Sequence, residues 1–96
     1  MIKRKMKPVH PGVILREDIL KEMNLSITKA AESLKISRKQ LSEIINETAS
    51  ISAEMALRFE QAFGVEAQFW LDLQSKYDLW KIKSSRKIPR INRITA

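Results

Sequence analysis

The sequence has no cysteine, one histidine, two glycines and three prolines, and each shortage closes off a class of protein. Without cysteine there is no disulfide framework, no thiolate nucleophile and no cysteine-based zinc site. The one histidine, His10 in "VHPG", has no partner identifiable from sequence for acid–base work or metal ligation. It reads as a helix cap or an exposed ring. So few glycines and prolines argue against a loop-rich or all-β chain. Apolar runs last only a few residues, so no segment is expected to span a membrane. The start, "MIKRKMKPVHPG", lacks the apolar stretch of a signal peptide. The expectation is a cytoplasmic protein that is not an enzyme and takes no cofactor, metal or small-molecule substrate.

What is present is enough for one globular domain: 96 residues, 44% hydrophobic and 30% charged. The net charge of +7 is unevenly spread. Residues 1–7 and 81–96 hold ten basic side chains and no acidic one, whereas 8–80 holds eight basic against eleven acidic. A mildly acidic body therefore carries two basic ends, suited to phosphate or anionic lipid or simply solvated. The division expected is a basic arm over 1–7, a helical domain over 8–83 and a basic tail over 84–96.

Five helices are predicted. Pro11 suits a first helical position, and Leu15, Ile19 and Met23 follow at four-residue intervals, giving a first amphipathic helix over 11–23 that Asn24 ends. Ser26 or Thr28 caps a short second helix through Leu34. Ser37 and Gln40 form a capping box that opens a third, to Asn46. Ser52 caps a fourth, ended by Gly64, and a fifth covers 66–83. The segment "KIPRINRI" alternates weakly, and Pro89 admits it only as an edge strand. The fold class is all-α.

The second and third helices are separated by only Lys35, Ile36 and Ser37, the local signature of a helix-turn-helix. Ala30 and Ala31 are small where two helices cross, and Leu34, Ile36, Leu41 and Ile44 can close the core between them. On the third helix, Arg38, Lys39, Ser42, Glu43 and Asn46 share an arc of about 140°, opposite Leu41 and Ile44. In this motif the N-terminal end of the second of the two helices enters the DNA major groove. Arg and Lys pair with guanine, Glu accepts from cytosine and Ser is permissive. Arg38, Lys39, Ser42 and Glu43 are thus the predicted base readers. Thr28, Lys29, Gln40 and Asn46 are assigned to the DNA backbone.

The stretch "HPGVILREDILKEMNLSITKAAESLKISRKQLSEIIN", with "ISAEMALRFEQAFGVEAQFWLDLQSKYDL" after it, resembles the HigA-type antitoxins, lambda-repressor-like (Xre-type) helix-turn-helix proteins. The resemblance covers about residues 8–80. It implies a homodimer that binds operator DNA, represses its own operon and neutralises a HigB toxin, a RelE-like mRNA-cleaving protein. Three positions depart from the family pattern. Lys35 replaces the usual turn glycine, Lys29 replaces an acidic residue that completes a capping box, and Ala53 replaces a proline. A stand-alone Xre-type repressor without a toxin is the alternative, and a basic protein docking on membrane or RNA through its tails is a third reading.

All six aromatics lie between Phe59 and Trp80. Phe69, Trp70, Leu73, Tyr77 and Trp80 share an arc of about 100° on the fifth helix and are expected to cover the core. Leu71, Leu79 and Ile82 fall on nearly the opposite side, a second stripe suited to a two-fold dimer interface. RelE-like toxins are generally basic, so their inhibitor should offer acid. Glu17, Asp18 and Glu22, on the outward side of the first helix, are the expected toxin-binding surface.

Overall fold

His10 and Pro11 start the first helix together. The computed structural model describes residues 7–85 and 88–95; Lys3, Arg4 and Lys5 of the basic arm and Arg86 and Lys87 of the tail lie outside them. Pro11 takes the first helical position, where its missing N–H costs nothing, and His10 Nδ1 accepts from Gly12 N–H at 2.9 Å. The first helix, α1, is α-helical over Pro11–Ile14 and continues as π-helix over Leu15–Leu20. After it come α2 (Ile27–Leu34), α3 (Arg38–Ile45), α4 (Ala53–Phe63) and α5 (Ala67–Ser85). Five helices and no strand occur among the described residues, and "KIPRINRI" forms no edge strand in its described part.

The π-helical turn corrects the predicted core face of α1. The apolar residues recur as Ile14–Leu15 and Ile19–Leu20, five apart. An α-helix would turn Leu20 about 140° away from Leu15. The wider π turn, closed by Lys21 N–H donating to Arg16 C=O at 3.2 Å, brings both into the core. Leu15 and Leu20 are buried, Ile14 and Ile19 pack on them, and Met23, expected inside, is 56% exposed. Asn24 ends the segment at φ 51°.

The caps form largely as the sequence predicts. Ser26 accepts from Lys29 N–H and Ser52 from Met55 N–H, both at 3.1 Å. Gly64 ends α4 in the left-handed region, and Glu60 accepts from Ala67 N–H at 2.9 Å to start α5. At the centre, Leu15, Leu34, Leu41, Ile44, Phe59 and Trp70 form one buried cluster, with Phe59 and Trp70 edge to face at 5.1 Å. Of the predicted aromatic stripe, Trp70 is buried, Leu73, Tyr77 and Trp80 are half-buried, and Phe69 is exposed. The buried residues of α5 are Trp70 and Gln74. The second half of α5 is contacted from the N-terminal side, where His10 packs edge to face on Tyr77 at 4.9 Å and Lys7 Nζ lies 5.6 Å from the Trp80 ring centre.

Candidate nucleic-acid interface

Helix α3 is capped at its start and held by a neighbouring helix at its end. At its start, Ser37 Oγ accepts from Gln40 N–H, and Gln40 Oε1 accepts from Ser37 N–H, each at 3.0 Å, so the predicted capping box is complete. Along its inner side α1 lies very close: a Cβ on Gly12 would sit 1.9 Å from the Ile44 carbonyl oxygen. At its end, Arg16 of α1 donates to the Ile45 carbonyl at 2.8 Å. Helix α2 is held in the same manner, because Arg58 of α4 donates to the Leu34 carbonyl at 2.8 Å and the Lys35 carbonyl at 3.2 Å. The carbonyls closing both helices of the motif therefore end on arginines from outside it.

The turn between α2 and α3 uses Lys35 at φ 58° and ψ 44°. This is the left-handed conformation that glycine adopts without cost. Ala30 and Ala31 are buried where the helices cross, with Leu41 and Ile44 behind them. Loop residues 46–52 are fixed by Gln74 of α5. Its Oε1 accepts from Ile51 N–H at 3.0 Å and its Nε2 donates to Asp78 at 2.9 Å.

On this support α3 presents Arg38, Lys39, Glu43 and Asn46 to solvent, with Ser42 half-buried among them. Arg38, Lys39 and Glu43 make no ion pair among the described residues. Asn46 Nδ2 donates to Ser42 Oγ at 3.3 Å. Thr28 and Lys29, exposed on α2, lie at the same end, and Thr28 Oγ1 accepts from Arg38 Nε at 3.1 Å. Gln40 is exposed, and its carbonyl oxygen is engaged by the cap, accepting from Ser37 N–H at 3.0 Å. Exposed cations, one carboxylate and amide and hydroxyl groups along a single helix face are the donors and acceptors that base edges and phosphates require.

The other predicted sites are arranged differently. Glu17 is not a free acid: its carboxylate pairs with Lys21 at 2.7 Å and Arg16 at 2.9 Å. Hydrogen bonds from Lys21 and then Arg16 hold it below the usual carboxylate range. Asp18 and Glu22 are exposed. Leu71 is half-buried against the chain's own core, whereas Leu79 and Ile82 are 58% and 43% exposed. No cluster of metal-ligating side chains occurs among the described residues. No helix of the described residues is long and apolar enough to cross a membrane.

Sequence reasoning missed Arg16, Arg58 and Gln74. Nothing in their spacing marks them, because each acts on a carbonyl or amide more than twenty residues away.

Known proteins are similar to most of this chain in sequence and fold. The helix-turn-helix family matches residues 17–70. The virulence-associated protein I of Dichelobacter nodosus is 46% identical over 77 residues, covering 80% of this chain and 71% of that protein. A Pseudomonas aeruginosa protein solved in complex with its operator DNA is 40% identical with a TM-score of 0.79, covering 82% of this chain and 87% of its own. The Pseudomonas aeruginosa antitoxin HigA, solved with the higBA promoter, is 36% identical with a TM-score of 0.79, covering 88% of this chain and 99% of its own.

Proposed function

The chain belongs to the helix-turn-helix family that includes the HigA-type antitoxins, and from that premise we propose that it is an antitoxin that represses its own operon. As a homodimer it binds operator DNA through the N-terminal end of α3, and it neutralises a small RelE-like toxin encoded beside it. The observation that carries the DNA half is the exposed set Arg38, Lys39 and Glu43, which make no ion pair among the described residues. They stand on a helix capped at its start and clamped by Arg16 at its end. Arg38, Lys39, Ser42 and Glu43 meet base edges, while Lys29, the Gln40 amide and Asn46 meet phosphate. The basic arm 1–7 and tail 84–96 flank the helical domain and add sequence-independent attraction.

The dimer is built on Leu79 and Ile82, the exposed apolar pair at the end of α5, with Leu71 left to the core. For the toxin the surface is Asp18 and Glu22. Glu17 is excluded because its charge is already matched by Lys21 and Arg16, and altering it would disturb the Arg16 clamp on α3.

Co-expression of the chain with its neighbouring reading frame tests the antitoxin half. The expected result is a complex that survives purification and suppresses mRNA cleavage. Asp18 and Glu22 changed together to Lys should slow association and leave DNA binding intact. A neighbour product that neither binds this chain nor is inhibited by it would leave a stand-alone repressor.

A further inference from the structure

Arg38 is the first residue of α3 and exposed, yet its side chain is not loose. Its Nε donates to Thr28 Oγ1 at 3.1 Å, across the turn from α2. A guanidinium reads guanine through two parallel N–H donors, and with Nε engaged the pair that remains is Nη1 and Nη2, at the outer end of the group. Thr28 itself sits on a helix fixed by the Ser26 cap and by the Arg58 clamp. The hydroxyl is thus a fixed point on the scaffold, and the arginine is the part that would otherwise sample many rotamers.

We propose that Thr28 is a positioning residue that sets specificity: its hydroxyl holds Arg38 end-on for guanine, and it does not act as a phosphate contact. This rests on the DNA-reading function above. It replaces the sequence expectation that Thr28 belongs to the DNA backbone set. A phosphate contact would raise affinity for every sequence alike, whereas a hydroxyl that aims an arginine raises it only where a guanine waits.

The test begins with duplexes enriched from a random-sequence library by the full-length wild-type chain. Binding is then measured on the enriched duplex and on one in which the guanine read by Arg38 is replaced. Thr28→Val keeps the shape and removes the acceptor. It should weaken binding to the enriched duplex about three- to tenfold, the loss of roughly one ordinary solvent-exposed hydrogen bond. Binding to the replaced duplex should change less than about twofold, and in an Arg38→Ala background Thr28→Val should have no further effect. Thr28→Ser should behave as wild type. Thermal melts check folding, and Thr28→Ala supplies a second removal of the hydroxyl.

Equal losses on both duplexes, no loss on either, or effects that add to those of Arg38→Ala would overturn the proposal while leaving DNA reading intact. A wild-type chain that enriches no sequence would overturn the DNA-reading function, and this proposal with it.

Discussion

Adding one methyl group at Gly12 reverses the usual sign of a helix substitution. Glycine to alanine inside a helix ordinarily stabilises by about 1 kcal/mol, through backbone entropy. Here the new Cβ meets Ile44 O at 1.9 Å and Ile44 C at 2.9 Å, both backbone atoms of α3. An ordinary carbon–oxygen contact lies near 3.3 Å, so α1 must retreat from α3 by roughly 1.4 Å. That retreat stretches the Arg16 to Ile45 hydrogen bond, now 2.8 Å, and opens the packing of Leu15 and Ile44. Overpacking costs about 1–3 kcal/mol and the lost hydrogen bond about 1–2. After the helix-propensity gain, Gly12→Ala should destabilise by about 1–4 kcal/mol. For a domain of this size that is a fall in Tm of about 5–30 °C, measurable by circular dichroism. A melt at or above the wild-type temperature would refute the close approach of α1 to α3 and, with it, the account of how the reading helix is held.

Lys35→Gly should do the opposite, stabilising by about 0.5–1 kcal/mol in a urea titration, because glycine takes the observed φ of 58° without strain. Leu79 and Ile82 changed together to Glu should give a folded monomer with poor operator affinity; sedimentation equilibrium of a wild-type chain that is itself monomeric at micromolar concentration would remove the dimer. His10 adds a pH dependence. Burial holds its imidazole below the usual value, and Nδ1 must stay unprotonated to accept from Gly12. The unfolded chain therefore takes up the proton first. His10's contribution is complete above the unfolded-state pKa and is lost as pH falls below it. Melts between about pH 7.5 and 5 should show this loss, and His10→Asn, which keeps a capping oxygen, should reduce it.

The helices announced by side-chain oxygens were legible in the sequence, since Ser26, Ser37 and Ser52 cap by purely local bonds. The left-handed turn at Lys35 was legible only through the resemblance, which places glycine there. The core face of α1 was not, because a four-residue period assumes an α-helix and the repeat of Ile14–Leu15 as Ile19–Leu20 is met by a π turn. His10 was read as a cap or an exposed ring; it is a cap, but buried, because Tyr77 of the distant α5 covers it. Of the DNA set, the exposed face of α3 followed from its wheel. The Thr28–Arg38 bond, which joins two helices, did not. Glu17 looked outward and free because its partners Arg16 and Lys21 were read only as neighbours in sequence.

The central claim is that the end of α3 reads base sequence, and Arg38 tests it most directly. Wild-type chain and Arg38→Ala should be titrated by fluorescence anisotropy, over a range of salt, against the DNA upstream of the gene and against a random duplex of equal length. The account predicts tighter wild-type binding to the upstream DNA, and an Arg38→Ala loss there of about 1–3 kcal/mol, with little change on the random duplex. Equal wild-type affinity for both duplexes, or an Arg38→Ala loss that is the same on each, would contradict it.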